Sequence, residues 1–509
     1  MAQAETVDRP KRVPLIVQPD NRDPSTAKDA RLVNAYAELD NITGEYSVNK
    51  RLGLSSAVWN SVSGSSDCFG VYSWYQLSTS SAPQYPVRVW VSGVNGAGIV
   101  YINGINVSTG HINFVEPGFY RFQPVPSTIP TLVITAGGDW QRMLYCDGAA
   151  VHLIWDPITY PLFAARTWAA GCAYLNGATY FMTVTGAIYG STNLNDVTVW
   201  DELNVIQANA EPDKAVYITK QLNYVVAIKS WTTQFFEDVG APSGSRLAAV
   251  PGAILSVGCR SANTVQDFED SLIWVSFNKL GSLQVVKLTG LQYSTVSTPA
   301  IDRLLDAAGG ENSVFLSSAI KHSGHKFYIL TVKLYPPEAP VGATSFTVVY
   351  DLDQNLWYQW TDPTGDYWKV YTIAASAVTS QDQEDRHIAQ GPNGSLYFVD
   401  GDYEYPNDAG VVFPIDIYTP RYSAGVDRKK VLKVMRFNGD QVAGSVLNVR
   451  CSDNDYQTYT NFRNVDLAVK RPTLADCGTF YSRSWHFRHA CNTTFRIRSV
   501  DLQMDIGTL

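Results

Sequence analysis

The stretch LNYVVAIKSWTTQFFEDVG, residues Leu222 to Gly240, sets the reading of the whole chain. An apolar run, Leu222–Ile228, stops at Lys229–Ser230, and a second run returns through Thr232–Phe236. Two β-prone runs joined by a short polar turn predict an antiparallel hairpin. DSLIWVSFNKLGSLQVVKL, Asp270 to Leu288, repeats the pattern: Leu272–Phe277, a turn at Asn278–Gly281, and a return through Leu283–Leu288. Successive hairpins between Gly190 and Leu304 lie roughly 40–50 residues apart, the period of β-propeller blades.

The same signal recurs on either side. Upstream, hairpins are predicted for Val87–Val107 (turn Gly93–Gly98), Thr131–Trp155 (turn Gly137–Trp140) and Cys172–Ser191 (turn Leu175–Gly177). Downstream they fall at Lys326–Trp360 and His387–Tyr405. These make about seven hairpin units; with one or two sharing a blade, about six blades are expected. Pro336, Pro337 and Pro340 interrupt the alternation, so Lys333–Ser345 is read as a long loop. Each blade must bury both faces against its neighbours, and Trp155, Tyr180, Phe235, Trp274, Phe327, Trp357 and Tyr397 supply rings on predicted strands. Helix signals are confined to Asp196–Ala208 and Thr298–Leu305.

From Val411 the strands lengthen, as in KVLKVMRFNGD and TFRIRSVDLQMDI. The expected organisation is an N-terminal segment over residues 1–56, an all-β propeller over 57–410, and a C-terminal antiparallel β subdomain, sandwich-like, over 411–509. Arg31, Asn34 and Glu38 are read as structural partners of the first strand.

Composition agrees with an all-β chain: 12% of the 509 residues are aromatic and only 17% charged. The net charge of −8 opposes tight wrapping around nucleic-acid phosphates. Its distribution is uneven. Residues 411–509 carry 14 basic against 9 acidic side chains, a net +5, which leaves −13 for the rest. Two solvated surfaces of different character would account for this, as would a basic flank that meets an acidic neighbour. Seven cysteines show neither disulfide nor zinc spacing and read as small buried thiols. No stretch has signal-peptide or membrane-span character, which implies folding in a reducing cytoplasm and no membrane insertion.

A set of short phrases carries a family resemblance. They are Ser191, Asn193, Leu194 and Asp196 before Trp200; AEPDK at Ala210–Lys214; QFFEDVG at Gln234–Gly240; VGC at Val257–Cys259; IWV at Ile273–Val275; and VSTPAI at Val296–Ile301. In order and spacing the chain resembles the tail-nozzle proteins of short-tailed bacteriophages, also called packaged-DNA stabilisation or tail-hub proteins. Gln234–Phe236 departs from the family, where a Glu and a bulky residue are expected. The resemblance implies a structural virion protein in the phage tail, assembled as a homo-oligomer, a ring of six. Such a ring sits below the portal and its adaptor (head-to-tail connector) protein, extends the DNA channel, retains packaged genome and supports tail fibre or spike proteins. It also implies a C-terminal tail that pairs with the chain start and closes the propeller ring. Genomic DNA would pass through the lumen without sequence-specific binding, held back sterically, with Lys333–Ser345 and Thr361–Tyr367 as candidate constricting loops. These are scaffold motifs and name no reactive group.

Candidate chemistry is sparse. Asp351, Asp353 and Asn355, with Asp362 at the twelfth position, imitate a calcium loop. Leu356 stands where that loop needs Gly, and Asp362 where it needs a longer Glu, so an ordinary turn is expected. Ser452–Tyr459 resembles the Asp-box turn of sialidases, a folded hairpin tip. Asp400 and Asp402, with Glu404, would be the acid pair of a propeller glycosidase acting on host surface polysaccharide, the enzymatic alternative. A propeller binding scaffold for peptides is a second alternative. His322/His325 and His486/His489 have the spacing of extended-strand residues on opposite faces and make poor metal pairs. No nucleophile elbow or phosphate loop is present. No catalytic residue, metal site or cofactor is expected, and the chain is read as a non-enzyme.

Overall fold

The computed structural model describes residues 11–19, 29–40, 44–60, 68–74, 87–94, 97–108, 118–127, 129–309, 313–334, 344–374, 386–400 and 406–507. Seven sheets follow one another around an axis. Blade 1 is Cys68–Trp74, Val87–Val94, Ala97–Ile102 and Ile105–Asn106. Blade 2 is Arg121–Val125, Thr131–Thr135, Met143–Cys146 and Val151–Leu153. Blade 3 is Ala173–Leu175, Ala178–Met182, Ala187–Ser191 and Trp200–Gln207. Blade 4 runs Ala215–Gln221, Tyr224–Lys229, Thr233–Asp238 and Leu247–Leu255. Blade 5 has a split inner edge, Gly258–Cys259 and Gln266–Asp267, then Leu272–Phe277, Leu283–Thr289 and Gln292–Thr295. Blade 6 is Ser313–His322, His325–Leu334, Phe346–Asp351 and Leu356–Trp360. Blade 7 joins Thr372–Ala374, His387–Gln390 and Leu396–Asp400 to an outer strand from far upstream, Gly53–Trp59.

Each blade touches the next, and blade 7 touches blade 1, so the ring is closed. Each of the seven predicted hairpins lands in its own sheet, where about six blades had been expected from letting two hairpins share one. No sharing is needed, because Gly53–Trp59 completes the last sheet. The two hairpins that open the sequence reading fold in the expected register: Leu272 faces Leu288, and Phe277 faces Leu283.

One predicted helix is a strand. Asp196 does cap a turn, accepting from the Thr198 amide and hydroxyl, but Trp200–Gln207 then pairs with Ala187–Ser191 as the fourth strand of blade 3. Blade geometry demands a fourth strand there, and that demand overrides the local capping signal. The other helix forms: Thr298 caps Pro299–Ala308, whose Ile301, Leu304 and Leu305 are buried between blades 5 and 6. A single helical turn at Pro161–Ala164 carried no sequence signal. Of the aromatic residues singled out, Tyr180, Phe235, Trp274, Phe327 and Trp357 are buried strand residues. Tyr397 is half-buried, and Trp155 lies just past its strand, stacked on Trp168 at 4.0 Å.

Blade 6 does not end at its fourth strand. Arg31–Val33 pairs in parallel with Leu356–Trp360, then Ile415–Tyr418, Ser484–His489, Val446–Ser452 and Arg463–Asp466 follow, giving a nine-stranded sheet. A second sheet packs on it: Ala35–Leu39, Tyr46–Lys50, Arg496–Ile506, Lys430–Gly439 and Thr473–Ala475. One core spans both sheets and the blade, from Leu32 and Tyr36 through Phe327 and Trp360 to Leu432, Phe487 and Val500. The C-terminal strands pair with the chain start, as the resemblance implies, although closure of the ring itself belongs to Gly53–Trp59.

At the seam sits Arg51, whose side chain is fully buried. Its guanidinium meets Asp408 through two bonds of 3.0 and 2.6 Å, donates to Asn34 Oδ1 at 2.8 Å and to the Thr361 carbonyl at 2.7 Å, and lies 3.6 Å from the Phe413 ring. Asn34, in the left-handed region at φ 56°, donates in turn to Thr361 Oγ1 and to the Pro414 carbonyl. Arg31, Asn34 and Glu38 are therefore structural residues: Arg31 stacks on Tyr418 at 3.9 Å, and Glu38 accepts from Asn49.

Removing one partner of a buried ion pair costs about 3–5 kcal/mol, because the other charge is left uncompensated. Arg51→Met should lower unfolding free energy by about that amount in chemical denaturation; a change under about 1 kcal/mol would show the network to be dispensable. A second outcome concerns pH. His489 is buried, bonded through Nε2 to Ser445 Oγ at 3.0 Å, and burial with Lys50 nearby holds its pKa down to about 3. The unfolded imidazole protonates near pH 6.5, so below that pH the unfolded state binds the proton first and stability falls. His486 is depressed by burial as well and acts in the same direction. His489→Gln should flatten the acid limb, recovering about 2 kcal/mol of relative stability at pH 5. Parallel pH profiles for the two proteins would contradict this.

Candidate functional site: the propeller axis and the C-terminal sheet

The residues that carry the family resemblance all act in the scaffold. Asp213 accepts from the Trp231 and Thr232 amides at 3.0 and 3.1 Å and pairs with buried Lys229 at 2.7 Å, so AEPDK clamps the turn of the next hairpin. Gly258 of VGC lies so close to that turn that a Cβ would stand 2.2 Å from the Trp231 nitrogen. Its carbonyl accepts from Trp274 Nε1 at 2.8 Å, which fixes the tryptophan of IWV. Ser191 Oγ accepts from the Thr179 amide, Asn193 donates to Asp196, and Trp200 Nε1 donates to the Val197 carbonyl. Val296 receives Trp357 Nε1 across the blade interface, just ahead of the Thr298 cap.

The residues suspected of chemistry are similarly engaged. Asp351 bonds His325 Nδ1 at 2.7 Å and accepts from the Asp353 amide; Asp353 accepts from the Lys326 amide; Asn355 accepts from Tyr350. Asp362 caps Thr364 and Asp366 and pairs with Lys369 at 2.7 Å. Their oxygens converge on hairpin turns rather than on a common point. In Ser452–Tyr459 the capping is done by Ser452 and Asn454, while Asp453 forms a two-pronged pair with Arg483 at 2.7 and 2.8 Å. Asp400 lies 3.9 Å from His322, and Asp402 and Glu404 lie outside the described residues, as do 335–343 of the Lys333–Ser345 loop.

His322 and His325 are not on opposite faces of one strand. They flank the Ser323–Gly324 turn and face one another across the blade 6 hairpin, where the three-residue spacing spans a turn. Each has its own carboxylate, Asp400 and Asp351. His486 and His489 lie on one strand and do diverge, one against Tyr418 and the other against Phe495. Among the described residues no group of three or more His, Cys, Asp and Glu side chains is placed to hold a metal ion. Of the seven thiols, Cys68, Cys146, Cys172 and Cys259 are buried, with Cys146 pushed up to about 11 and Cys259 to about 12 by burial.

Two features come together only in three dimensions. The first is a cavity of about 290 Å³ on the propeller axis, lined by the inner strands of six of the seven blades. Tyr72 and Phe122, from blades 1 and 2, stack at 5.5 Å in its wall. It has room for a small molecule and none for a nucleic-acid duplex. No sequence signal marks it, because each of the six blades contributes only one to three positions. The second is a ladder across the C-terminal sheet. Arg31 covers Tyr418; Tyr418 stacks on His486 at 4.0 Å; His486 Nδ1 accepts from Arg450 Nε at 2.8 Å; and Arg450 lies between Tyr459 and Phe462 at 4.4 and 4.5 Å. Since Nδ1 accepts, the proton is on Nε2, which donates to Asp416 at 2.6 Å and leaves the imidazole neutral. Alternating cations and rings make this face basic and partly aromatic.

Among the described residues no helix is long and apolar enough to cross a membrane. No curated protein matches the chain. Among solved structures it is similar to the N-terminal domain of Nup159, at 8% identity and a TM-score of 0.38, over 73% of this chain and 99% of that one. BBS1N in complex with ARL6DN is similar at 10% identity and a TM-score of 0.40, over 68% and 98%. The computationally designed Ika8 protein is similar at 12% identity and a TM-score of 0.32, over 74% and 100%. Residues 132–336, which run from blade 2 to just past the first hairpin of blade 6 and contain every phrase of the resemblance, match the phage-stabilisation family model described as "Bacteriophage P22 Gp10, beta-propeller", and this match supports a bacteriophage structural protein of the stabilisation type.

Proposed function

We propose that this chain is the tail-nozzle or hub subunit of a short-tailed phage, which assembles as a ring, six copies in the resembling family, beneath the portal and its adaptor. The ring would extend the DNA channel, retain the packaged genome and support fibre or spike proteins. The observation that carries the reading is the match of residues 132–336 to the phage-stabilisation propeller, over the stretch where the family phrases also lie.

Physical features of the chain agree with it. The cavity on the propeller axis, about 290 Å³, is too small for a duplex, so DNA would pass through the hole between copies, not along a propeller axis. The share of the chain outside residues 411–509 carries a net −13, and such a wall would repel phosphates and let the genome slide. Retention is then steric. The basic C-terminal region, at +5, would meet the acidic flank of the adjoining copy. The family is a structural one, and of the side chains weighed for glycosidase chemistry the one described, Asp400, lies 3.9 Å from His322.

Electron microscopy of the purified protein, alone and mixed with its adaptor, is expected to show rings. A particle that stays monomeric in both samples would refute the assignment. Turnover of bacterial surface polysaccharide that Asp400→Asn abolishes would replace it with the enzymatic reading.

A further inference from the structure

The axial cavity contains one cation. Arg121, on the inner strand of blade 2, shares the cavity lining with a single carboxylate, Asp267 of blade 5. Among the described residues its guanidinium has one hydrogen-bond partner, the Ala262 carbonyl, at a long 3.4 Å. Arg121 Nε is buried and has no partner. No carboxylate of the described residues forms an ion pair with it; Asp267 instead accepts from the Glu269 amide at 2.9 Å. The two arginines whose side chains are buried deepest have carboxylate partners. Arg51 has Asp408, and Arg483 has Asp453.

The cavity wall around Arg121 is partly apolar, with Val71, Phe122 and Val265, and partly hydroxylic, with Tyr72, Tyr217 and Ser318. Arginine keeps its charge in proteins. Arg121 is half-buried, and with five donors and one weak acceptor its guanidinium keeps donors available for an anion. Its flat fork matches a carboxylate or a phosphate through two parallel bonds. At about 290 Å³ the space lies at the small end of ligand cavities.

We propose that the axial cavity is a binding site for a small oxyanion, an inorganic phosphate or a short dicarboxylate, held by the fork of Arg121 with the Tyr72, Tyr217 and Ser318 hydroxyls as further donors. Asp267 at the same cavity disfavours ligands of high negative charge. A bound anion would link the inner strands of blades 1, 2, 4 and 6 and act as a pin through the propeller. This site is independent of ring assembly.

The test uses the full chain and two probes, inorganic phosphate and glutarate, titrated at constant ionic strength against sodium chloride. Thermal unfolding should rise saturably, by about 2–3 °C at a hundred times Kd, with at least one probe and not with chloride. The probe that works identifies the ligand chemistry. Arg121→Gln should weaken binding at least about tenfold, as loss of a charge-assisted fork requires. Without added anion the variant should be no less stable than the parent, since it removes an unpaired charge. No saturable effect of either probe on the unaltered protein, or an equal effect of chloride, overturns the proposal. So does an Arg121→Gln protein that is destabilised or fails to fold in the absence of anion, because that outcome makes Arg121 a structural residue with no vacancy to fill.

Discussion

The joint between propeller and C-terminal sheets is a shared apolar core with one buried guanidinium at its seam. Backbone pairing across that joint is thin: Arg31–Val33 meets Leu356–Trp360 in parallel at one register pair, Val33 with Gln359, followed by the Asn34 amide on the Gln359 carbonyl at 2.8 Å. Parallel pairs are also slightly weaker per residue than antiparallel ones. Arg51 supplies what the ladder lacks. It ties Asn34, on the turn out of the first strand, to Thr361 at the end of blade 6 and to Asp408, which follows blade 7. Three segments far apart in sequence share one charge, and each acceptor satisfies a different donor of the fork.

The N-terminal segment also completes or extends the last two blades. Gly53–Trp59 covers the outer edge of blade 7, and Arg31–Val33 covers that of blade 6. Both come from the N-terminal segment, so the same stretch closes the ring and joins it to the C-terminal sheets. An uncovered outer strand presents unpaired backbone groups, a template for unwanted association. Here the fourth strand of blade 7 and the continuation of blade 6 are both supplied from within the chain.

How much of this could be read in advance follows from the range of each signal. Hairpins are local, and Leu222–Phe236 and Leu272–Leu288 displayed their turns and registers directly. The role of Gly53–Trp59 is not local: its partner is more than three hundred residues away, so the seventh sheet was countable only as a hairpin. Trp200–Gln207 was misread because its capping residue, Asp196, is genuine, but caps a turn that leads into a strand. The His322/His325 geometry depended on whether Ser323–Gly324 turns, which the spacing alone does not state. Scaffold motifs such as AEPDK and VGC were visible as words, yet their meaning, a carboxylate clamp and a close backbone approach, required Lys229 and Trp231 to be placed beside them. The axis was least legible of all, because a cavity assembled from six strands leaves no contiguous trace.

The arrangement of charge extends the same reasoning. Residues 411–509 hold the basic excess, and the ladder from Arg31 to Phe462 joins one of their cations, Arg450, to the buried Arg31: each guanidinium is fixed by a ring face, an imidazole nitrogen or both. Arg450, the half-buried cation of the two, is held between two rings and so loses less entropy on pairing than a lysine on a flexible stem. Because His486 is neutral with its proton directed at Asp416, the ladder keeps its charge pattern without adding a third cation between the two arginines. A rigid, positive, partly aromatic sheet joined by one core to an acidic propeller gives the molecule two unlike faces that cannot rearrange relative to each other.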